Sequence, residues 1–156
     1  MDSLDYRIVD MLQRDGRATQ LEISREIGLS QPAVAERIRK LEERGVITGY
    51  TARVDAGKLG KDITAFIGVN IEHPKYFEGF AKKVMAMPEV LEAHRVAGQD
   101  SYILKVRTAN TKSLDQLLVE TLRTISGVTR THTTIVLTSI KEETHVQVSP
   151  ELLKGD

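Results

Sequence analysis

The feature that most constrains this chain is the run from Thr19 to Ser30, where one helix ends and another begins almost at once. Thr19 and Glu22 have the spacing of a capping box, which starts a helix, and Gly28 suits the left-handed conformation that ends one. Ser30 is a good N-cap residue, and Pro32 is tolerated in a first turn. Two short helices joined by a tight, glycine-containing turn are typical of a helix-turn-helix.

A further helix precedes this pair, because apolar residues recur at helical spacing over residues 4–12 and Asp15-Gly16 ends the pattern. The helix after the turn ends at Gly45, and the segment that follows is predicted to be a short extended wing. The apolar face of the helix that ends at Gly45 is formed by Val34, Ile38 and Leu41. We therefore predict an N-terminal winged helix-turn-helix over residues 1–54 and a linker over residues 55–61.

The periodicity changes in the second half of the chain. Residues 63–71 alternate between apolar and polar, which is the period of a strand. Strands and amphipathic helices then follow in the order β-α-β-β-α-β, and the last strand is predicted at residues 131–140. This order predicts a ferredoxin-like domain over residues 62–141 and an α+β chain overall. Residues 142–156 are predicted to be a C-terminal tail or an additional edge strand.

Composition excludes several classes of protein. The 156 residues are 40% hydrophobic and 28% charged, as expected of a soluble globular chain. With no cysteine and with four histidines that lack metal-ligand spacing, we expect no disulfide, metal site, catalytic cluster or cofactor. No apolar run reaches the roughly 18 residues of a membrane span, and the acidic N-terminus lacks a signal-peptide pattern, so we expect a cytoplasmic protein.

A formal net charge of zero does not exclude nucleic-acid binding, which needs only a local basic strip. Gln31 is chemically able to pair with adenine, and Arg37 with guanine or a phosphate. Glu36 opposes DNA binding unless it accepts from cytosine or points along the wall of the groove. The alternative is an ordinary solvated helix face. The candidate DNA-binding residues are Ser30, Gln31, Ala33, Arg37, Arg39 and Lys40.

Taken together, the two halves resemble the Lrp/AsnC family of bacterial and archaeal transcription factors, over about residues 4–140. The most specific match runs from Leu29 to Tyr50. Further matches are Asp5-Tyr6-Arg7-Ile8, Asp15-Gly16-Arg17, Gly98, Tyr102, Gly127-Val128 and Thr133-Thr134-Ile135-Val136-Leu137. The resemblance implies a regulator of amino-acid metabolism that binds double-stranded DNA. It also implies homodimers that form through the sheets, often assemble into octamers, and bind an amino acid in a cleft between sensor domains.

The resemblance also implies where the effector binds, namely at the turn after the second sensor strand and at the last strand. The corresponding residues are Gly98, Gln99, Asp100, Ser101, Tyr102, Thr133, Thr134 and Ile135. Asp100 could accept from the ammonium group of an amino acid. The common family pattern has an aspartate directly before the aromatic residue, whereas here Ser101 holds that place. Alternatively, Asp100 only caps a hairpin turn.

Two other functions remain open at this point. Siroheme decarboxylases resemble the same family in both halves, and His94-Arg95 is the only adjacent His-Arg pair that could serve a tetrapyrrole. A sensing or assembly module whose helix-turn-helix contacts only protein is the other possibility. Changing Arg37 or Gln31 to alanine would separate the two. A DNA reader loses a base contact worth roughly 1–3 kcal/mol and relaxes its specificity, whereas such a module does not bind DNA at all.

Overall fold

The computed structural model describes residues 1–154 and divides them into two compact units. The helical unit contains residues 1–53 together with the described residues from Lys141 onward. The sheet unit contains Val54–Ile140. The chain therefore leaves the helical unit, forms the sheet unit and returns. No helix within residues 1–154 is both long and apolar enough to cross a membrane.

Three capped helices begin the helical unit, as predicted. They are α1 (Ser3–Arg14), α2 (Gln20–Ile27) and α3 (Gln31–Glu43). The predicted capping box at Thr19 is formed, and Gly28 ends α2 with a φ of 75°. A second capping box, between Asp2 and Asp5, starts α1 and was not predicted. Since each start is fixed by a local hydrogen bond, the ends of the helices follow from short-range sequence.

The three helices bury one apolar cluster. Ile8 of α1, Ile23 of α2 and Val34 of α3 are fully buried, and Leu41 is 1% exposed. Removing apolar side chains of this size from water stabilises a fold by about 1.5–3 kcal/mol each. Because Val34 and Leu41 fix which face of α3 points inward, they also fix which face is left to the solvent.

The chain after α3 has no strand within residues 46–54, so the predicted wing does not form a paired hairpin. The backbone N–H groups of Val46 and Ile47 both donate to the carbonyl of Leu41, at 2.9 and 3.2 Å. The Tyr50 hydroxyl donates to the Glu42 carboxylate at 3.0 Å. These bonds fold the segment back onto the end of α3.

The C-terminal segment packs on α1. The side chain of Gln13 accepts from the backbone N–H of Val146 at 2.8 Å and donates to its carbonyl at 3.0 Å. His145 Nε2 lies 3.3 Å from the Asp10 carboxylate. A short helix, α6 (Pro150–Lys154), also contacts α1. Of the two predicted alternatives, a tail or an edge strand, residues 142–154 form no strand, because the polar backbone of Val146 bonds to a side chain instead of a neighbouring strand.

The sheet unit has the predicted ferredoxin-like topology. A four-stranded antiparallel sheet has the order β2-β3-β1-β4. The elements are β1 (Ile63–Ile71), α4 (Phe77–Met85), β2 (Val90–Arg95), β3 (Tyr102–Thr108), α5 (Thr111–Gln116) and β4 (Val128–Ile135). A π-helical turn (Leu117–Thr121) and a 3-10 turn (Leu122–Thr124) continue α5. The last strand therefore begins and ends earlier than residues 131–140.

The two helices cover one face of this sheet. Ile67 of β1 and Leu104 of β3 are fully buried beneath Phe80 of α4 and Leu122. The other face, called the open face below, carries Phe66, Gly68, Asn70, Ile103, His132 and Thr134. Phe66 is 41% exposed and Ile103 is 37% exposed. An alternating strand thus places one row of side chains in the core and leaves the other row accessible.

Candidate functional site

The outer face of α3 is the first candidate site. Gln31, Glu36, Arg39 and Lys40 are exposed on it, while Ala33 is half-buried. Ser30 lies just before the helix, where its Oγ accepts from the backbone N–H of Ala33 at 3.4 Å. Its hydroxyl proton is still available as a donor. Four of the six predicted DNA-contacting residues, Ser30, Gln31, Arg39 and Lys40, are therefore accessible together.

Arg37 lies among two carboxylates at the start of α1. Its Nη1 lies 2.6 Å from Asp5 Oδ1 and 2.9 Å from a carboxylate oxygen of Asp2. The hydrogen bond to Asp5, followed by that to Asp2, raises the pKa of Arg37 above its ordinary value. The pKa of Asp2 is lowered, first by the backbone N–H of Asp5 and then by Arg37. Arg37 thus joins α3 to the start of α1.

A network of ion pairs runs along the exposed face of α3. The Arg39 guanidinium contacts both oxygens of Glu36, at 2.7 and 2.9 Å, and also pairs with Glu43. Lys40 Nζ lies 3.4 Å from the same Glu36 carboxylate. These bonds, led by the one from Arg39, lower the pKa of Glu36 to about 2. Glu36 is therefore ionised at any physiological pH and offsets two cations.

The open face of the sheet holds the second candidate site, centred on Asp100. Its Oδ1 accepts from Asn70 Nδ2 at 2.9 Å and lies 3.4 Å from His132 Nδ1. The Asp100 side chain is only 9% exposed, whereas that of His132 is 55% exposed. A Cβ added to Gly68 would lie 2.4 Å from Asp100 Oδ2 and 2.5 Å from the His132 ring. Glycine at this strand position is what lets the two side chains meet.

Ser101 and Tyr102 have structural partners within this chain. The Ser101 N–H donates to the Val69 carbonyl at 2.9 Å, and its Oγ accepts from the Ile71 N–H at 3.1 Å. Tyr102 is 8% exposed and packs edge-on against Phe77 with a ring-centroid distance of 5.7 Å. Both residues therefore hold the end of β1 and the core beneath it.

The sheet register divides the rest of the predicted effector set between two faces. Thr134 is paired with Phe66 and lies on the open face. Thr133 and Ile135 are paired with Ile67 and Ala65, and so lie on the helix-covered side. Gly98 and Gln99 are exposed in the turn. The structure thus brings Asp100 and Thr134 to the same face but does not gather all eight predicted residues around one space.

Sequence reasoning missed three members of the open-face cluster. Asn70 and His132 were not singled out, because their approach to Asp100 depends on the register of β1 with β4. Gly68 was the one available signal, since a glycine inside a strand often marks the close approach of another group. The partners of Arg37 were missed because they are distant in the sequence: Asp2 lies 35 positions away and comes near only when the helices pack.

The residues that suggested a tetrapyrrole enzyme do not converge. His94 is paired with Ile103 of the open face and lies 3.4 Å from Glu92. Arg95 lies on the other side of the sheet, with its guanidinium carbon 4.6 Å from the centre of the Phe77 ring. Adjacent residues in a strand point to opposite faces, so the pair cannot form one site within this chain.

Comparison with known protein families agrees with this division of the chain. Residues 1–48 match the family described as winged helix-turn-helix DNA-binding. Residues 64–146 match the family described as Lrp/AsnC ligand binding domain. The exposed face of α3 and the Asp100 cluster lie in the first and second of these regions, respectively.

Individual relatives are similar over almost the whole chain. The HTH-type transcriptional regulator FL11 of Pyrococcus horikoshii is 39% identical over 148 residues, covering 95% of this chain and 97% of the relative. A transcriptional regulator from Neisseria meningitidis in complex with L-Met superimposes with a TM-score of 0.89, at 29% identity, over 94% of this chain and 96% of that one. A feast or famine regulatory protein from M. tuberculosis, complexed with L-methionine, gives a TM-score of 0.87 at 36% identity, over 93% and 97%.

Proposed function

Because this chain belongs to the Lrp/AsnC family of DNA-binding transcription regulators, we propose that α3 is its recognition helix and that an amino acid controls it through the sheet unit. The observation that supports the first part is the division of α3 into a buried and an accessible face. Val34 and Leu41 are at most 1% exposed, whereas Gln31, Arg39 and Lys40 lie on the solvent side.

The roles of the accessible residues follow from their chemistry. Gln31, at the first turn of α3, can bond adenine through both groups of its amide, and recognition helices use their N-terminal residues for base contacts. Ser30, Arg39 and Lys40 suit phosphates, which fix register without reading sequence. Ala33 has a small side chain that allows close approach. Arg37 positions α3 from behind, through its bonds to α1.

The open face of the sheet is the proposed surface for a homodimer. Phe66 and Ile103 are large apolar residues that remain more than one-third exposed there. Pairing of two sheets, as the family resemblance implies, would bury them and present two recognition helices to one duplex. Their separation would match successive major grooves, roughly 34–36 Å apart, and the site would be an imperfect palindrome. Assembly beyond the dimer, such as to an octamer, is part of the same proposal.

The proposed effector is an amino acid bound at the edge of that interface. Similar structures from N. meningitidis and M. tuberculosis hold L-methionine. A zwitterion needs an acceptor for its ammonium and donors for its carboxylate. Asp100 supplies the acceptor, and Thr134 on the same face supplies a hydroxyl. Gly98 and Gln99 border the site from the turn, where Ser101 and Tyr102 fix the backbone. Thr133 and Ile135 complete the predicted set on β4.

Two measurements test the proposal. The wild-type protein should select an imperfectly palindromic site from a random library of duplexes. Gln31→Ala should weaken binding to that site by about 1–3 kcal/mol and relax the preference for one base pair in each half-site. In a thermal-shift screen against the twenty amino acids, only the effector should raise the melting temperature, because it binds the folded state. Equal binding to selected and scrambled duplexes would refute the assignment of α3.

A further inference from the structure

Glu36 is an acidic side chain at the centre of the α3 surface that is proposed to contact DNA. It follows Ala33 by one turn and precedes Lys40 by one turn, on the same side of the helix. Its two oxygens both bond Arg39, and Lys40 lies 3.4 Å away. The side chain is 48% exposed, so it is not buried by these partners. The proposed function does not assign it a role.

We propose that Glu36 is a specificity-determining residue that acts mainly by repulsion. In the free protein it occupies Arg39 and Lys40, and against a duplex it weakens binding wherever no hydrogen-bond donor meets it. This inference rests on the proposed placement of α3 in the major groove and names the residue that limits which sequences that helix accepts.

The chemistry of the major groove supports this role. An ionised carboxylate only accepts hydrogen bonds, and the pKa of about 2 keeps Glu36 ionised. Most groups that the major groove offers are acceptors themselves, namely the N7 of both purines, the O6 of guanine, the O4 of thymine and every phosphate oxygen. Only the amino groups of cytosine and adenine can donate. A duplex that places neither of them opposite Glu36 therefore meets an unpaired negative charge.

The cations next to Glu36 add a second contribution. Non-specific affinity comes from Lys and Arg side chains that replace counterions at phosphates. To contact phosphates, Arg39 and Lys40 must give up their bonds to Glu36, and the charges of Glu36, Arg39, Lys40 and Glu43 cancel. Binding to random DNA is thus weakened more than binding to the correct site. Specificity is the difference between these two affinities.

The test compares Glu36→Gln with wild-type protein on two duplexes. One is the site selected from a random library by the wild type, and the other is a scrambled duplex of the same composition. Fluorescence anisotropy over a salt series should show that E36Q binds the scrambled duplex about tenfold more tightly, with a salt slope steeper by about one. The ratio of selected to scrambled affinity should fall by a similar factor.

Two control variants carry the same change of charge. Glu26→Gln alters an exposed residue of α2 whose nearest cation is Arg7, at 4.0 Å. Glu43→Gln removes the other acidic partner of Arg39 but keeps Glu36. Glu26→Gln should shift the two affinities together and leave their ratio within about twofold, because net charge alone acts on all sequences equally. Glu43→Gln releases Arg39 from one of its two acidic partners but leaves Glu36 charged, so it should lower the ratio by clearly less than E36Q.

The outcomes separate the inference from the function on which it rests. If E36Q and E43Q change the ratio equally, or if E36Q weakens both duplexes, Glu36 only balances charge or stabilises the helix and the inference is overturned. A thermal unfolding curve of E36Q that matches wild type shows that the helical unit is intact. If the wild-type protein selects no sequence, the placement of α3 fails first and the inference fails with it.

Discussion

Replacing Arg37 with alanine should destabilise the helical unit without removing a base contact. The Arg37 side chain is 29% exposed and that of Asp5 is 12% exposed, so their 2.6 Å bond is partly shielded from water. Asp5 Oδ2 is held by the backbone N–H of Asp2, but Oδ1 would lose its partner. A hydrogen bond between charged groups contributes about 1.5–3 kcal/mol, and exposure on the Arg37 side places the expected loss near 2 kcal/mol.

The assay is thermal unfolding followed by a probe of the helical unit. For a domain of this size, 1 kcal/mol shifts the melting temperature by about 4–8 °C, so Arg37→Ala should lower it by roughly 8–16 °C. Arg39→Ala is the matched control. It removes the same charge from the same helix, but its partners Glu36 and Glu43 are exposed, so its melting temperature should fall by much less than that of Arg37→Ala.

One result would refute this reasoning. If Arg37→Ala melts like the wild type and instead loses discrimination at a single base pair, the guanidinium leaves Asp5 in the complex and reads DNA. In that case the sequence-based assignment of Arg37 to guanine would be correct. Equal destabilisation by Arg37→Ala and Arg39→Ala would show that the partial burial of the Arg37–Asp5 hydrogen bond does not increase its contribution to stability.

Three further predictions follow from other contacts. Gly68→Ala should destabilise the sheet unit by about 1–3 kcal/mol in thermal unfolding, because the new methyl group displaces the carboxylate of Asp100. Gln13→Ala should remove two hydrogen bonds, worth about 1 kcal/mol each, and speed hydrogen exchange at the Val146 amide. The pKa of Asp2 is lowered because a backbone N–H in the first turn of α1 donates to it, so its capping contribution is present above about pH 4 and lost as the pH falls. Asp2→Asn should therefore flatten the acid limb of the unfolding curve.

Local chemistry made much of the helical unit predictable from the sequence. Thr19, Gly28 and Ser30 act within three or four positions of themselves, so the ends of α2 and α3 could be derived without knowing the fold. The fate of Arg37 could not be derived, because its partner Asp5 is 32 positions away and is brought near only when the three helices pack. Periodicity places residues on faces but does not choose their long-range partners.

The C-terminal segment shows the same limit from the opposite direction. Residues 145–148 alternate in the manner of a strand, yet a strand exists only where another backbone supplies its hydrogen bonds. Here the backbone groups of Val146 are paired by the side chain of Gln13, which lies on α1. The alternating sequence shows only that these side chains could line two faces of a strand. Gln13, 133 positions away, binds the backbone of Val146 and so determines the structure of this segment.

The position of Asp100 decides how far the departure from the family pattern matters. Ser101 stands where that pattern has an aspartate, and a shift of one residue in a strand normally moves a side chain to the opposite face. Asp100, however, precedes β3 and lies over Gly68, where the missing Cβ leaves room for its carboxylate beside His132. Asn70 holds it there at 2.9 Å. An acceptor is therefore present on the open face despite Ser101, and it depends on glycine at position 68 as much as on the aspartate itself.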